Sequence, residues 1–260
     1  MPSIDQNIKT WDQSYKWDEQ GDEWSRSWGG ASPQWFGAIM PRLKSYVPAR
    51  TILEIAPGFG RWTQFLRELC DDLILVDVSS QCIEACRRRF STSPRIQYHV
   101  NDGRSLDMVA DGSVDLAFTF DSLVHVEADV LVAYLAQLAQ KLARDGVAFI
   151  HHSNMGEYVD PSTGELVATV RNRHWRAISV SAELVREQCP KIGLSCVSQE
   201  LINWGGEELN DTITVVTRPG SRWATPTVTL RNTDFMNEAR YIAQVAQLYD
   251  WGQLNRGRQE

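Results

Sequence analysis

The chain has no run of 18 apolar residues, the length that a membrane-spanning helix requires. Its N-terminus, Met1-Pro-Ser-Ile-Asp, also lacks the basic region followed by an apolar region that marks a secretory signal. The sequence therefore predicts neither a membrane span nor a leader peptide.

Cysteine pairs of the CxxC type are missing as well. The chain has five cysteines, an odd number, and their spacing offers no second pair for a metal site. We expect reduced, partly buried thiols in a cytoplasmic protein, and no metal centre. The formal net charge is −7, which disfavours nucleic acid as a partner.

The third absence is that of a complete dinucleotide-binding motif in the central stretch, Thr51 to Trp62. Ile52, Leu53 and Ile55 predict a buried strand, Gly58 and Gly60 a tight turn, and the apolar spacing from Trp62 onward a helix. Strand, glycine turn and helix in this order are typical of a nucleotide-binding α/β sheet. A dinucleotide motif, G-x-G-x-x-G, would require a third small residue where Thr63 stands.

An acidic residue, Glu54, precedes this turn, and a carboxylate suits a cation or an amine better than a pyrophosphate. The run Glu54-Ile-Ala56-Pro57-Gly58-Phe-Gly60 resembles the first motif, [D/E]-x-G-x-G-x-G, of the class I S-adenosylmethionine (SAM) methyltransferases. It departs from that motif at Ala56, where we expect a negative φ because alanine carries a Cβ. The resemblance implies a Rossmann-like seven-stranded α/β sheet, parallel in its core with an antiparallel C-terminal strand, and SAM as the cofactor.

Polar residues follow each predicted strand, and the carboxyl ends of parallel strands meet in one crevice. Asp77, after the second strand, can accept the two hydroxyls of a ribose, although it could instead cap the next helix. In the resembling family, an acid and its neighbours after the third strand bracket the adenine ring. Asp102 fits that role, although Asn101-Asp102-Gly103 also reads as an ordinary turn. The predicted cofactor residues are Glu54, Ala56, Pro57, Gly58, Gly60, Trp62, Asp77, Val78, Asn101, Asp102, Gly103, Phe120 and Asp121.

Three histidines are candidates for a general base, because histidine titrates near neutral pH. We prefer His125, after the fourth strand, with Asp121 as its orienting or proton-accepting partner. His152, after the fifth strand, and His174 are the alternatives, and each of the three could instead be structural. Asp121 could also bind a divalent metal with histidines or Asp211, but no dense carboxylate pattern supports this.

A longer resemblance, to sugar-modifying methyltransferases of polysaccharide and glycoside biosynthesis, runs through three stretches. These are Glu54 to Thr63, Phe120-Asp-Ser-Leu-Val-His125-Val-Glu127 and His151-His-Ser-Asn154. It implies methyl transfer to a sugar hydroxyl by in-line displacement. A small phenol or amine is an alternative acceptor, and an NAD-dependent oxidoreductase and a non-catalytic SAM-binding protein are alternatives of other classes.

The predicted organisation has three parts. Residues 1–31 hold many aromatic side chains interleaved with acids and form an arm, either anchored by burial or closing over the site as a lid. Residues 32–219 form the methyltransferase domain, with an insertion at 155–178 on the acceptor side. Residues 220–260 form an extension with an amphipathic helix, about Thr233 to Trp251, that packs on its own domain or on a second subunit.

Overall fold

A computed structural model describes residues 3–172 and 174–250 of the chain. Within these residues one sheet of eight strands has the order β3-β2-β1-β4-β5-β7-β6-β8. β7 runs antiparallel to both of its neighbours, and the other neighbouring strands run parallel. The strands are β1 (Ala49–Ile55), β2 (Cys70–Asp77), β3 (Ile96–Val100), β4 (Val114–Thr119), β5 (Leu142–Ser153), β6 (Ser195–Ile202), β7 (Asp211–Thr217) and β8 (Val228–Asn232).

The predicted Rossmann-like class, with its parallel core and antiparallel strand near the C-terminus, is confirmed. The expected strand number, seven, is too low because β8 was missed. Four of the five residues of β8 are exposed, so its sequence shows no buried alternation. β8 pairs with β6 at the edge of the sheet, where Asn232 Nδ2 donates to Glu200 Oε1 at 2.8 Å.

Helices cover both faces of the sheet. They are α1 (Ile4–Ile8), α2 (Ala31–Gln34), α3 (Met40–Leu43), α4 (Thr63–Leu66), α5 (Ser80–Arg89), α6 (Ala128–Lys141), α7 (Ala182–Lys191) and α8 (Phe235–Leu248). Shorter helical turns cover 9–14, 22–28, 35–39, 123–125 and 155–158. The last helix is shorter than predicted at both ends, and Trp251 lies outside the described residues.

Alternate residues of the central strands enter two separate hydrophobic clusters. Leu53 and Val76 belong to the cluster that includes residues of α6 and α7, whereas Ile52 and Leu75 belong to the cluster with Trp35 and Phe118. Because both faces of β1 and β2 are buried, these strands read as continuous apolar runs rather than alternating ones. The ends of the strands are thereby fixed with respect to each other, which places the polar residues that follow them at one edge.

The N-terminal arm, residues 3–31, lies across this edge. Asp12 Oδ1 accepts hydrogen bonds from Ser79 Oγ at 2.6 Å and from Gln81 N at 3.0 Å, so the arm supplies a carboxylate at the N-terminus of α5. The ring of Trp17 stacks on Phe59 with centroids 4.6 Å apart and planes 7° apart. The arm is therefore packed against both the first glycine turn and the turn after β2.

Candidate active site

A cavity of about 520 Å³ lies between the arm and the carboxyl edge of the sheet. This volume is in the range of small-molecule sites. Eleven of the predicted site residues line it: Ala56, Pro57, Gly58, Trp62, Asp77, Val78, Gly103, Phe120, Asp121, His125 and His174. Five are not among the lining residues: Glu54, Gly60, Asn101, Asp102 and His152.

The turn after β1 has left-handed backbone at three positions. φ is +56° at Ala56, +56° at Gly58 and +87° at Gly60. The expectation of a negative φ at Ala56 is therefore wrong. Hydrogen bonds hold the residue in this conformation: Ala56 N donates to Val76 O at 2.7 Å, and Ser122 Oγ donates to Ala56 O at 2.9 Å. A strained non-glycine residue at a cavity wall is a common feature of functional sites.

Glu54 lies beneath this turn rather than in the cavity wall. Its side chain is buried, and Oε2 accepts a hydrogen bond from Thr63 Oγ1 at 2.6 Å. Burial raises the pKa of Glu54 to about 8, so the group is mostly protonated at neutral pH. The other oxygen, Oε1, is buried and has no hydrogen-bond partner among the described residues. Direct contact of Glu54 with the cofactor stays a prediction.

Asp77 faces the cavity from the end of β2. Oδ2 accepts from Gly58 N at 3.1 Å and Oδ1 accepts from Ser79 N at 2.9 Å, which fixes the plane of the carboxylate. Each oxygen keeps a second lone pair that can accept a hydroxyl. Burial raises the pKa of Asp77 to about 6. The position suits the predicted ribose contact.

The residues after β3 form a turn at the rim of the cavity. Asp102 Oδ1 accepts from Arg104 N at 2.8 Å and from Ser105 N at 2.6 Å. The N–H groups of Ser105 and Arg104 hold the pKa of Asp102 below its ordinary value. Asn101 Oδ1 accepts from Gly103 N at 3.0 Å, so both side chains brace the turn. Their predicted contacts with adenine remain predictions.

An apolar pocket nevertheless forms beside this turn. A Cβ at Gly103 would lie 3.1 Å from Ile4 Cγ2 and 3.3 Å from Val78 Cγ2, and these three residues line the cavity. Tyr134 and Val126 line it too. Flat apolar surface of this kind can cover a planar ring. Sequence reasoning missed Ile4, because nothing in the arm indicates which of its residues reaches the sheet.

His125 lines the cavity with a defined tautomer. Its Nδ1 lies 3.1 Å from the carbonyl oxygen of Trp175, an acceptor only, so Nδ1 carries the proton and Nε2 keeps its lone pair. Burial, and then the positive charge of Arg176, lowers the pKa of His125 to about 4. The ring is therefore neutral throughout the physiological range. The arm reaches the same residue, since Asn7 Nδ2 donates to the His125 carbonyl at 2.8 Å.

The other two candidate bases lie in different surroundings. His152 is fully buried and engages both ring nitrogens, Nδ1 with Ser153 O and Nε2 with Thr214 Oγ1, each at 2.8 Å. Burial lowers the pKa of His152 to about 4. His174 is exposed at the cavity and lies against Gly205, where a Cβ would be 2.5 Å from His174 Nε2.

Asp121, the predicted partner of His125, instead belongs to a buried network. Its Oδ2 pairs with Arg61 Nη2 at 2.9 Å, and its Oδ1 lies 3.8 Å from Arg176 Nη2. Asp121 N donates to His151 Nδ1 at 3.0 Å, so His151 carries its proton on Nε2, 3.2 Å from Asp211 Oδ2. The backbone of Asp121 is left-handed, with φ +60°. The orienting hydrogen bond of His125 therefore comes from Trp175 rather than from Asp121.

Two further absences hold for the part of the chain that the structure describes. No group of three or more His, Cys, Asp or Glu side chains is placed to hold a metal ion. None of the helices in this part combines the length and the apolar character that a membrane crossing requires.

Comparisons with known proteins bear on the fold and on part of the chain. Residues 52–146 match the model of a family described as a methyltransferase domain. No curated protein matches the chain.

Solved structures share the fold at low sequence identity. A protein from Pyrococcus horikoshii is 18% identical, with a TM-score of 0.54 over 75% of this chain and 98% of its own. A SAM-dependent methyltransferase from Leishmania major is 12% identical, with a TM-score of 0.58 over 82% of each chain. Another from Clostridium acetobutylicum is 14% identical, with a TM-score of 0.55 over 75% of this chain and 92% of its own.

The family match covers the glycine turn, Asp77 and His125, which line the cavity. The cavity has room for a small molecule, a carboxylate at Asp77 and an apolar pocket beside Gly103. Residues 52–146 thus match a methyltransferase domain, the fold is one that SAM-dependent methyltransferases share, and S-adenosyl-L-methionine is the cofactor.

Proposed function

We propose that this protein methylates a hydroxyl group of a sugar or glycoside, with His125 as the general base. The observation that carries the proposal is the tautomer of His125. Its Nδ1–H is held by the Trp175 carbonyl, so the unprotonated Nε2 belongs to a residue of the cavity wall. A hydroxyl is a poor nucleophile unless a base takes its proton, whereas an amine has less need of one.

The residues around the cavity form a donor half, which would bind SAM as the methyl donor, and an acceptor half, which would bind the sugar. When bound, SAM supplies an electrophilic methyl group on a sulfonium. Asp77 would accept the ribose hydroxyls. The Ala56–Gly60 turn would lie against SAM, and Gly58, which has no side chain, would let the backbone approach it. Ile4, Val78 and Gly103 would cover the adenine ring. These contacts leave the His125 side of the cavity for the acceptor.

In the acceptor half, His125 Nε2 would take the hydroxyl proton as the oxygen receives the methyl group. The resulting imidazolium would lie near two carboxylates, Asp121 and Asp211, whose charges favour the protonated ring, while Arg176 opposes it. Positioning supplies much of the acceleration, since close alignment of two reactants contributes ~7–11 kcal/mol.

Aromatic side chains support a sugar as the acceptor. Trp11, Trp24, Trp175 and Trp204 line the cavity, and Trp24 is 42% exposed. Flat rings can pack against the CH faces of a sugar, and polar groups such as His125 and His174 can bind its hydroxyls. The resemblance to sugar-modifying enzymes points to an acceptor from polysaccharide or glycoside biosynthesis.

The test is incubation with methyl-labelled SAM and matched panels of acceptors, followed by mass spectrometry of the products. The panels contain simple glycosides, oligosaccharides and nucleotide sugars in one set, and small phenols and amines in another. We expect label in a member of the sugar set. Label confined to the phenol or amine set would overturn the sugar proposal and leave SAM-dependent transfer intact.

His125→Ala tests the base separately. We expect kcat to fall by roughly 10²–10⁴-fold, the usual contribution of a general base, while the affinity for S-adenosylhomocysteine changes little. His99→Ala is the matched control, because His99 lies on β3 and is not among the residues lining the cavity. A His125→Ala enzyme with wild-type kcat would exclude His125 as the base.

A further inference from the structure

A buried ion pair joins Arg176, which lines the cavity, to Asp211. Arg176 donates to Asp211 through Nε, at 3.1 and 3.2 Å from the two oxygens, and through Nη2 at 2.8 Å. Arg176 is 4% exposed and Asp211 is fully buried. Taking both charges out of water is costly, so such a pair is weak evidence for stability alone. Stability alone therefore does not explain why this ion pair is present.

Asp211 is also tied to the sheet. It begins β7, pairs with Ser153 of β5 across the antiparallel ladder, and accepts from His151 Nε2 at 3.2 Å. Although burial opposes it, the charge of Arg176 and the hydrogen bond from His151 hold the pKa of Asp211 below its ordinary value. Asp211 is thus a fixed anion on a rigid element.

Arg176 belongs instead to the long connection between β5 and α7. Its guanidinium group links this connection to β7. Around it the backbone is held by hydrogen bonds: Arg176 N donates to Asn172 Oδ1 at 2.7 Å, and Ala177 N donates to Val124 O at 2.9 Å. The preceding residue, Trp175, has φ +55°, a left-handed conformation that costs energy for a residue with a side chain. The surroundings of Arg176 stabilise this strained residue.

The carbonyl of Trp175 is the group that accepts His125 Nδ1–H at 3.1 Å. A rotation of the Trp175 peptide would remove this acceptor. His125 could then carry its proton on Nε2, where it could not accept one from a substrate.

We propose that Arg176 and Asp211 are positioning residues for the proton-accepting step. Their ion pair holds the strained Trp175 carbonyl against His125 Nδ1 and so keeps Nε2 unprotonated. This inference rests on the proposed role of His125 as the base.

The charges facing His125 come from three elements. Arg176 approaches from the long connection, Asp121 from the end of β4 and Asp211 from β7, while the arm contributes the Trp11 ring at 5.5 Å between centroids and the Asn7 amide. Of these, Arg176 disfavours the imidazolium and the two aspartates favour it. Removal of Arg176 should therefore raise the pKa of His125 and move the acid limb of the rate profile to higher pH.

The experiment compares Arg176→Met and Arg176→Lys with the wild type in the full chain. Imidazole ¹⁵N NMR of histidine-labelled protein reports the tautomer, and loss of one signal set in His125→Asn assigns it among the five histidines. We expect the Nε2-protonated form of His125 to appear in Arg176→Met and to a smaller extent in Arg176→Lys. The kcat for methyl transfer should fall by roughly 10- to 10²-fold in Arg176→Met, as for a misplaced catalytic group, with KM for SAM within about twofold of wild type.

Arg42→Met is the matched control. Arg42 is also largely buried and pairs with Glu200 at 2.6 Å and Glu238 at 3.1 Å, but it is not among the residues that line the cavity. We expect this variant to lose stability without any change in the His125 signals.

Folded Arg176 variants that keep His125 entirely in the Nδ1-protonated form with wild-type kcat would overturn the proposal. If Arg176→Met does not fold, the His125 tautomer and the kcat of Arg176→Lys decide the question. The NMR measurement needs no acceptor, so a wild-type enzyme that fails to methylate sugars would count against the proposed function and leave the tautomer result standing.

Discussion

Gly58 gives the sharpest test of whether the arm packs on the glycine turn. The residue has φ +56°, and a Cβ there would lie 2.9 Å from the ring of Trp17. Gly112 is a natural control, because its φ is +65° and no atom of residues 3–172 or 174–250 beyond its chain neighbours lies within 4 Å of its Cβ position. Gly58→Ala and Gly112→Ala therefore share the backbone strain, and only the first meets the arm.

The expected magnitudes follow from this difference. A left-handed conformation costs a residue with a Cβ ~1–2 kcal/mol, and the loss of freedom in the unfolded chain offsets about 0.4–1 kcal/mol of it. We thus expect Gly112→Ala to lower the free energy of unfolding by about 0–1.6 kcal/mol. Gly58→Ala must also displace Trp17 from its stack on Phe59, worth about 0.5–1.5 kcal/mol, for a total of roughly 2 kcal/mol.

Urea denaturation of both variants measures the difference, and calorimetry with S-adenosylhomocysteine measures the consequence for the site. Gly58→Ala should weaken binding, because Gly58 lines the cavity and its N–H donates to Asp77. In a Trp17→Ala background, the excess cost of Gly58→Ala over Gly112→Ala should disappear. Equal losses of stability in the two alanine variants, with unchanged affinity, would refute the packing of the arm on this turn.

Three further predictions follow from the same turn and its acids. Asp77→Asn should weaken S-adenosylhomocysteine binding by about 1.5–3 kcal/mol, which is the value of a hydrogen bond to a charged group. Calorimetry near pH 8 measures this change, and an unchanged affinity would show that the ribose lies elsewhere. Ala56→Gly should raise the free energy of unfolding by about 0–1.6 kcal/mol, because glycine tolerates φ +56°. A loss of stability in urea would contradict the strain assigned to Ala56. Burial raises the pKa of Glu54 from 4.5 to about 8, so the folded state binds its proton more tightly and the wild type should lose stability as the pH rises between these values. Glu54→Gln should reduce this slope, and an unchanged slope in denaturation curves from pH 4.5 to 8 would show that Glu54 is not the cause.

The local part of the site could be predicted from the sequence. The glycine turn and Asp77 stand at fixed distances from apolar runs, so the spacing alone brings them to the edge of a parallel sheet. The side chains of Asn101 and Asp102 hydrogen-bond within their own turn, as the alternative interpretation of Asn101-Asp102-Gly103 allowed, and their contact with adenine stays a prediction. A turn motif and a binding motif can have identical sequences.

The remaining features depend on contacts between distant parts of the chain. Arg176, Asp211 and His151 meet from three separate stretches, and no periodicity relates them. The conformation of Ala56 depends likewise on hydrogen bonds from Ser122 and to Val76 rather than on its own preference. Tertiary contacts of this kind override local propensity, which is why the sequence did not indicate them.

The most direct test of the whole account is a crystal structure with S-adenosylhomocysteine. We expect the ribose hydroxyls within hydrogen-bonding distance of Asp77, and the sulfur on the His125 side of the cavity, with Nε2 unobstructed by the donor. A donor bound outside the cavity, or one whose sulfur faces away from His125, would contradict the assignment of the base and of the acceptor site.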